Sequence, residues 1–493
     1  MNIRFRPIFK DVFLTFVTQA IVLVTFFFIY RLIAKNFGPY GVGQYSLVRR
    51  AIGILQPLLL LGLGVGLPRY IAMSQNREQR SNYIKSGYLL VGIFTFIVLL
   101  FINLFKTFFA KLFFGSVDCS NLVLPLSFLS GGLVLHVLVY SYFRGRLFAK
   151  IFNLLQIVNT ALVPVIILVF LEKTSIVGLV TSIGIATFVI SFVFLLFFIE
   201  EFFVYIRRQT FKDSLKELLR YGVPRVPGDF IFAGFFSMGV ILAVHFASVE
   251  EAGYLSVSQS LLTTIGVVTS PLYLILVPKV SKLIVQERTE EITESLNYLI
   301  WSILQCTVFV CIQSMIFADI IIRYWLGPEF SVATPVMRIV FFSMIFYLLY
   351  SVEGAVLEAA KVKPLNVINV SISFALFLIV SGILLFCLKL FSVIISLSIS
   401  FTAGIVCLGV LTHISIRKIY KAKIRQDLKC FFISVSFSIL LGAIAISSKS
   451  FLTSNLCYLI IFEALMVTVY LVILSLLQRD WIKPICKMIY QVN

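Results

Sequence analysis

Charged residues are scarce in this chain of 493 residues, where Asp, Glu, Lys and Arg together make up only 13%. Soluble domains contain about 25% charged and about 45–50% apolar residues. This sequence is instead 60% hydrophobic, with a mean hydropathy of +1.04 and 50 phenylalanines. A water-soluble fold is excluded, because no aqueous core would hold so many phenylalanine side chains, whereas lipid solvates them without a core.

Motifs of common enzymes and metal sites are also missing. The sequence has no GxxxxGK[ST] phosphate-binding loop, no CxxC pair, no zinc-type spacing of His and Cys, and no polar insertion long enough for a soluble catalytic domain. Its eight cysteines lie mostly inside apolar runs, which is typical of small membrane-helix residues. We therefore expect no cofactor, no metal, no enzymatic activity and no ATP-driven transport.

Long apolar runs fill the sequence and predict an all-α polytopic membrane protein of about fourteen helices. About 20 apolar residues cross a bilayer, and the basic N-terminal segment MNIRFRPIFK leads into a first run that is too long for a signal-peptide core. The predicted spans lie near 11–34, 42–68, 84–105, 121–143, 149–171, 175–199, 222–246, 253–278, 296–317, 332–357, 365–386, 390–413, 431–448 and 455–477.

Lysine and arginine residues are unevenly divided between alternate loops. With a cytoplasmic N-terminus, the cytoplasmic loops hold the clusters, including RKIYKAKIRQDLK at 417–429, and the outer loops hold only scattered cations. The positive-inside rule then predicts an even helix count and two cytoplasmic termini. The formal net charge of +19 therefore indicates topology and contact with anionic membrane lipids, and not nucleic-acid binding.

An internal repeat is visible when the chain is aligned with itself at an offset of 210 residues. GQYSLV at 43–48 then aligns with GYLSVS at 253–258, and Pro68-Arg69 aligns with Pro278-Lys279. Two six-helix lobes of equal orientation would be related by an axis along the membrane normal, with the substrate between them. The predicted divisions are 1–209 for the N-terminal lobe, 210–416 for the C-terminal lobe and 417–493 for two appended helices.

Three motifs resemble one family of transporters. They are FGPYGVGQYSLVRRAIGILQPLLLLGLGVGLPRYIA at 37–72, LLRYGVPRVPGDF at 218–230 and WLGPEF at 325–330. Together with the repeat, they are similar to Wzx-type polysaccharide flippases of the MOP superfamily, which also holds MATE exporters and lipid II flippases. The resemblance implies two lobes around a central cavity, and a bacterial inner-membrane location. The implied substrate is an undecaprenyl-pyrophosphate-linked oligosaccharide, moved by alternating access to the periplasmic leaflet.

Arg49 and Arg50 are the leading candidates for substrate binding. A lipid-facing arginine at membrane depth costs roughly 2.5–3.5 kcal/mol, so both should face a wet interior. Tyr45, Arg49 and Gln56 fall on one polar helix face, and Gln259 lies on the equivalent face of the second half. Guanidinium groups bind pyrophosphate oxygens through charge-assisted hydrogen bonds. The alternative is that the arginines extend to the outer headgroups.

Arg338 and Tyr347 are further candidate substrate contacts on the tenth predicted helix. Arg338 lies at a depth comparable to that of Arg49, and Tyr347 could stack on a sugar ring. For Arg338 we weigh an equal alternative, in which the guanidinium pairs with Glu353 or with a residue of another helix.

Four further polar residues are candidates for coupling transport to an ion gradient: Asp229, Glu353, Gln19 and His136. The two acids lie near predicted cytoplasmic helix ends, so an ordinary interfacial position is favoured for them. A neutral imidazole bound to a neighbour is favoured for His136.

Two other functions remain open from the sequence: a cation-coupled multidrug exporter of the MATE type and, more distantly, a membrane polysaccharide polymerase. An exporter should carry acids at mid-membrane, and a polymerase should carry a large periplasmic loop; this sequence has few of the former and none of the latter. Expected partners are the lipid-linked oligosaccharide, membrane lipids, and a polysaccharide polymerase with its chain-length regulator.

Overall fold

The backbone is almost entirely helical in the computed structural model of the protein. The structure describes residues 5–170, 174–205, 208–266, 289–359, 365–420, 428–452 and 456–477. These ranges contain no strand, so the predicted all-α polytopic fold is confirmed. Within them, ten helices are long and apolar enough to cross a membrane, or twelve if each of two bent pairs is one span. The count of fourteen spans stays a prediction.

Nineteen helices are named here in chain order. The first ten are α1 (Phe5–Leu60), α2 (Leu63–Met73), α3 (Arg77–Leu104), α4 (Lys106–Phe114), α5 (Val123–Gly145), α6 (Ala149–Ile157), α7 (Val163–Phe170), α8 (Ile176–Leu196), α9 (Arg208–Gly222) and α10 (Val226–Phe246). The others are α11 (described over 249–266), α12 (Thr289–Ile316), α13 (Ala318–Trp325), α14 (Ala333–Phe342), α15 (Met344–Ala359), α16 (Leu365–Gly382), α17 (Val393–Tyr420), α18 (Leu428–Leu452) and α19 (Leu456–Leu477).

The chain divides into two compact units. The first unit holds 1–257 with 325–329, and the second holds 258–324 with 330–493. The boundaries of the predicted lobes and of the appended segment 417–493 stay a prediction.

Helix α1 is two helical segments joined at a glycine. Its 56 residues would measure about 84 Å if straight, far beyond the ~30 Å of bilayer hydrocarbon. Gly38, with φ 62° and ψ −167°, interrupts the helix directly before Pro39. The two segments correspond to the predicted spans 11–34 and 42–68. The second of these spans is itself broken at Gly62, whose φ is 70°, before α2 begins.

Glycines allow very close helix packing in the first unit. A Cβ atom on Gly132 of α5 would lie 2.6 Å from the carbonyl oxygen of Gly184 on α8, and a Cβ on Gly184 would lie 2.5 Å from the backbone nitrogen of Leu129. Small residues let membrane helices approach in this way, since lipid provides no hydrophobic force between them. This contact fixes α5 against α8 at the wall of the cavity described below.

Two glycines at equivalent positions of the predicted repeat also touch each other. A Cβ on Gly253 of α11 would lie 2.9 Å from the Cα atom of Gly43 on α1. The missing side chains let α1 and α11 approach closely at this point.

The second unit packs α18 and α19 against α12. The ring of Phe309 on α12 stacks on that of Tyr470 on α19 with a centroid distance of 4.4 Å. The Tyr470 hydroxyl donates to the carbonyl oxygen of Gln305 over 2.8 Å. These last two helices are thus firmly attached to the helices that precede them.

Two predicted spans of the second unit are bent. Helices α12 and α13 meet at an angle of 67° around Phe317, and α14 and α15 meet at 44° around Ser343. Each bend leaves backbone carbonyl groups without their helical partners, and inside a membrane protein these groups need other partners. At the bend between α12 and α13, one of these partners is Arg338.

Candidate functional site

The two arginines on α1 have different surroundings. Arg49 is exposed to a cavity and lies beside the hydroxyl group of Tyr45. Arg50 is half-buried and donates from Nε to the Ser256 hydroxyl and from Nη2 to the Ser256 carbonyl oxygen, both over 3.2 Å. Arg50 therefore joins α1 to α11, while Arg49 reaches open space.

The cavity beside Arg49 lies inside the first unit and has a volume of about 200 Å³. Both segments of α1 line it, together with α5, α8 and the polypeptide from α6 to α7. Its lining combines apolar side chains with the polar residues Tyr45, Arg49, Gln156, Asn159, Thr160 and Thr187. Arg49 is the one charged residue among the described residues that line the cavity. It therefore gives the cavity a net positive charge.

A π-helical turn at Val158–Leu162 supplies part of the polar lining. It lies between α6 and α7 and contains Asn159 and Thr160. Turns of this kind widen a helix by one residue and are frequent at functional sites. Here the turn places two consecutive polar side chains of an apolar span on the cavity.

His136 on α5 contacts two of the polar side chains that line the cavity, Gln156 and Asn159. Its Nε2 atom lies 3.0 Å from the Gln156 carbonyl oxygen Oε1, and its Nδ1 atom lies 3.0 Å from the Asn159 amide nitrogen. An amide oxygen can only accept and an amide nitrogen can only donate. The ring is therefore a donor at Nε2 and an acceptor at Nδ1, which is the pattern of a neutral imidazole. The expected neutral histidine with a neighbouring partner fits this geometry.

Two polar atoms of the cavity wall are left without a protein partner among the described residues. They are Asn159 Oδ1 and Thr187 Oγ1, on side chains that are 2% and 1% exposed. Buried polar atoms normally find a partner, because leaving one unpaired costs about 1–3 kcal/mol. Both residues line the cavity, but these two atoms are themselves buried, with less than 1 Å² of accessible surface each.

The sequence reasoning did not single out Gln156, Asn159, Thr160 or Thr187. A signal was nevertheless present, since Gln156, Asn159 and Thr160 are spaced by three and four residues within the apolar run 149–171. That spacing places them on one helix face. Neutral amides and hydroxyl groups are a weaker signal in a sequence than charged groups, although they also cost free energy in a membrane unless they are paired.

Three predicted candidates of the first unit lie away from this cavity. Gln19 and Gln56, both half-buried on α1, are not among its lining residues. Asp229 is exposed in the first turn of α10, where a carboxylate is favoured by the positive end of the helix dipole. The expected interfacial position of Asp229 agrees with this exposure.

Glu353 on α15 is fully buried, and its expected interfacial depth stays a prediction. Its Oε1 atom lies 2.7 Å from Nδ1 of His413 on α17. Its other oxygen, Oε2, has no hydrogen-bond partner within the described part of the chain. The pair is a buried polar contact between two helices of the second unit, and the sequence reasoning missed His413.

Arg338 binds the end of α12. Its Nε atom donates to the Met315 carbonyl oxygen over 3.1 Å, and its Nη2 atom lies 3.8 Å from Asp319. Lys449 of α18 contacts the same Asp319 oxygen at 2.7 Å and donates to the Ile316 carbonyl over 2.8 Å. This geometry fits the alternative of a partner on another helix, which here is Asp319. The cations satisfy carbonyl groups freed at the bend between α12 and α13.

The remaining two candidates lie on α11 and α15. Gln259 is fully buried, and neither atom of its amide group has a hydrogen-bond partner in the described ranges. Tyr347 packs over Gly266, where a Cβ atom would lie 2.7 Å from the tyrosine ring. Their predicted contact with substrate stays a prediction.

Comparison with protein families decides the class of this chain. A family model described as "Polysaccharide biosynthesis protein" matches residues 8–284, which is more than half of the chain. The chain belongs to this polysaccharide biosynthesis protein family. The matched segment contains Arg49, Arg50 and the whole polar cavity. No curated protein is significantly similar to the chain in sequence.

Solved structures show that this family member has the fold of MOP-superfamily transporters. The lipid II flippase MurJ in an inward closed conformation superposes with a TM-score of 0.67 at 16% identity, covering 96% of this chain and 100% of MurJ. An inward-facing multidrug resistance MATE transporter of the MOP superfamily gives 0.66 at 13%, covering 84% and 99%. A MOP-superfamily transporter from Pyrococcus furiosus, whose binding pocket is described as reversed in polarity, gives 0.58 at 14%, covering 85% and 97%. The chain therefore has the fold that the resemblance to the MOP superfamily implies.

Proposed function

We propose that this polysaccharide biosynthesis protein is a flippase that moves an undecaprenyl-pyrophosphate-linked oligosaccharide from the cytoplasmic to the periplasmic leaflet. The observation that carries the proposal is Arg49, a membrane-embedded guanidinium beside a polar cavity whose other polar groups are all neutral. A positive charge inside a membrane protein is stabilised by an anionic ligand. A pyrophosphate supplies two linked anionic groups that arginine binds well.

The neutral groups of the cavity match the other part of such a substrate. Gln156, Asn159, Thr160 and Thr187 contribute neutral amide and hydroxyl groups to the lining, and such groups form hydrogen bonds with hydroxyl groups. Saccharides are dense in hydroxyl groups. A cavity of about 200 Å³ is smaller than a typical ligand pocket of about 300–1,000 Å³. It therefore accepts the pyrophosphate with the first sugar ring rather than a whole oligosaccharide.

The protein acts, on this proposal, as a transporter in the bacterial inner membrane with both termini in the cytoplasm. The clusters of lysine and arginine in alternate loops support that orientation. Arg50, Gln56, Gln259, Arg338 and Tyr347 remain proposed substrate contacts. A polymerase and a chain-length regulator are proposed partners, and no catalytic step is assigned to the chain.

A cation-coupled exporter is the second candidate function, and one observation favours it. Glu353 is a fully buried acid with one unpaired oxygen among the described residues, and it contacts His413. A carboxylate of this kind can take up and release a proton. The same pair would equally serve a flippase driven by a proton gradient, so we rank export of drugs below the flippase.

Surface polysaccharide in a strain that lacks the gene tests the proposal. The strain is complemented with Arg49→Gln, Arg50→Gln and the double variant. We expect the polymer to fall at least tenfold in Arg49→Gln, because each charge-assisted hydrogen bond contributes about 1.5–3 kcal/mol. Normal polymer from the double variant would refute the proposal.

Two matched controls separate loss of function from loss of folding. Arg77→Gln removes an exposed arginine that is paired with Glu200 at a helix start, and it should leave the polymer unchanged. Thr160→Glu and Thr160→Gln place side chains of equal size in the cavity, and only the glutamate neutralises Arg49. We expect less polymer from the glutamate variant, with both proteins present in the membrane at equal amounts.

A further inference from the structure

Arg69 and Arg225 form a second group of arginines in the first unit, apart from Arg49 and Arg50. They lie where α2 packs against the segment between α9 and α10. The backbones touch there, since a Cβ on Gly62 would lie 2.4 Å from the Gly222 carbonyl oxygen. A Cβ on Gly66 would lie 2.8 Å from the ring of Tyr221, so this ring is held against α2. The position of Tyr221 is therefore determined by two glycines that leave room for it.

Two arginines lie on the ring of Tyr221. Arg69 follows Gly66 by three residues on α2, and Arg225 follows Tyr221 by four, so each falls on the face that carries the contact. The guanidinium carbon of Arg225 is 4.2 Å from the ring centroid and that of Arg69 is 5.2 Å from it. The ring attracts both cations through its electron-rich face.

Within the described ranges, Arg69 and Arg225 have no acid paired with them. No carboxylate of the described residues forms an ion pair with Arg69 or Arg225, and both side chains are exposed. Other arginines at this end of the unit differ, since Arg77 pairs with Glu200 and Arg80 pairs with Glu201. The neutral tyrosine holds two guanidinium groups together and leaves both charges available.

Helix α9 carries a row of basic residues that ends at Arg220, directly before Tyr221. Lys212, Lys216 and Arg220 are exposed and follow one another at steps of four residues, which forms one stripe along the helix. The exposed acids Asp213 and Glu217 lie beside this stripe, and the opposite side of α9 packs against the protein, where Leu218 is fully buried. A basic stripe on a docked amphipathic helix is typical of contact with anionic headgroups at a membrane surface.

We infer that Arg69 and Arg225, held on Tyr221, form a binding site for the phosphate group of a lipid at the membrane surface. Each guanidinium offers a planar pair of N–H donors that matches two phosphate oxygens. The stripe on α9 raises the local concentration of such lipids, and the arginine pair binds one of them. The site does not depend on the proposed transport activity, since neither Arg69 nor Arg225 is among the residues that line the cavity beside Arg49.

Direct binding tests this inference with the full-length protein in detergent. Two probes are used, farnesyl diphosphate and phosphatidylglycerol, and bound lipids are counted by native mass spectrometry across a titration. All measurements are made in an Arg49→Gln background, so that the cavity does not contribute. We expect Arg69→Gln and Arg225→Gln each to weaken binding of at least one probe by about tenfold.

The choice of probe identifies the source of the phosphate. Weaker binding of farnesyl diphosphate alone assigns the site to a diphosphate lipid such as the proposed substrate. Weaker binding of phosphatidylglycerol alone, or of both probes, assigns it to membrane phospholipid or to lipid phosphate in general. Unchanged affinity for both probes in both variants would overturn the inference.

Conservative variants keep the test valid if a glutamine variant folds poorly. Arg69→Lys and Arg225→Lys retain the charge but lose the planar fork, so we expect partial loss of affinity. Tyr221→Phe keeps the ring and should bind within about twofold of the parent protein. The matched control is Arg146→Gln, because Arg146 stacks on Phe148 at 5.4 Å without a second arginine; equal loss of affinity there would also contradict the site.

Discussion

The buried ion pair between Arg80 and Glu201 gives the sharpest prediction about stability. Both Nε and Nη2 of Arg80 donate to Oε1 of Glu201, over 2.9 Å and 2.7 Å, and the Ser81 hydroxyl donates to Oε2. The side chains are only 15% and 4% exposed. The pair joins the start of α3 to the short helix Ile199–Phe202, which follows α8.

Replacing Arg80 by methionine leaves the Glu201 carboxylate buried with Ser81 as its remaining partner. Removing one partner of a buried pair costs about 3–5 kcal/mol, because the other charge loses its compensation. The same helix supplies a matched control. Arg77 pairs with Glu200 over 2.8 Å, but these side chains are 51% and 73% exposed, and exposed pairs contribute only about 0–1 kcal/mol.

Unfolding by sodium dodecyl sulfate in mixed micelles measures both changes. We expect Arg80→Met to lower the free energy of unfolding by about 3–5 kcal/mol and Arg77→Met by less than about 1 kcal/mol. Adding Glu201→Leu to Arg80→Met should restore most of the loss, since an apolar pair of similar volume needs no compensation. Equal small losses from Arg80→Met and Arg77→Met would refute the reasoning.

Two further predictions use the same unfolding measurement. Gly62→Ala should destabilise the protein by at least about 1 kcal/mol, because its φ is positive and its Cβ would lie 2.4 Å from the Gly222 carbonyl oxygen; an unchanged free energy of unfolding would contradict this. His136→Phe should lower stability by about 1–3 kcal/mol, since Gln156 loses its donor, whereas an unchanged value would show that water replaces the ring.

Sequence reasoning predicted the helices better than their interruptions. Apolar runs of about 20 residues are sufficient to locate spans, because bilayer thickness sets helix length. The breaks at Gly38, Gly62 and Ser343 depend on backbone angles and on neighbouring helices. Gly38 directly precedes Pro39, which is a local signal for an interruption. Gly62 is needed because Gly222, far along the chain, lies against it.

Partners across helices could not be read from the sequence at all. Arg338 has the same residue type and a similar predicted depth as Arg49, yet it binds Asp319 and a freed carbonyl at a bend. Glu353 stood near a predicted helix end but is buried beside His413. The depth of a residue in the membrane follows from its position along the sequence of a helix. The partner of its side chain depends instead on how the helices rotate and pack against one another.

The partners of the arginines provide a physical criterion for separating structural from ligand-binding charges. Arg77 and Arg80 are each paired with a carboxylate, so the local charge is already neutralised and an incoming anion would have to displace an acid. Arg49, Arg69 and Arg225 instead lie beside tyrosines, which hold the guanidinium group in place but leave its charge intact. A neutral partner orients the group at no loss of its attraction for anions. A phosphate ligand therefore gains the most binding free energy from arginines that are positioned by tyrosine.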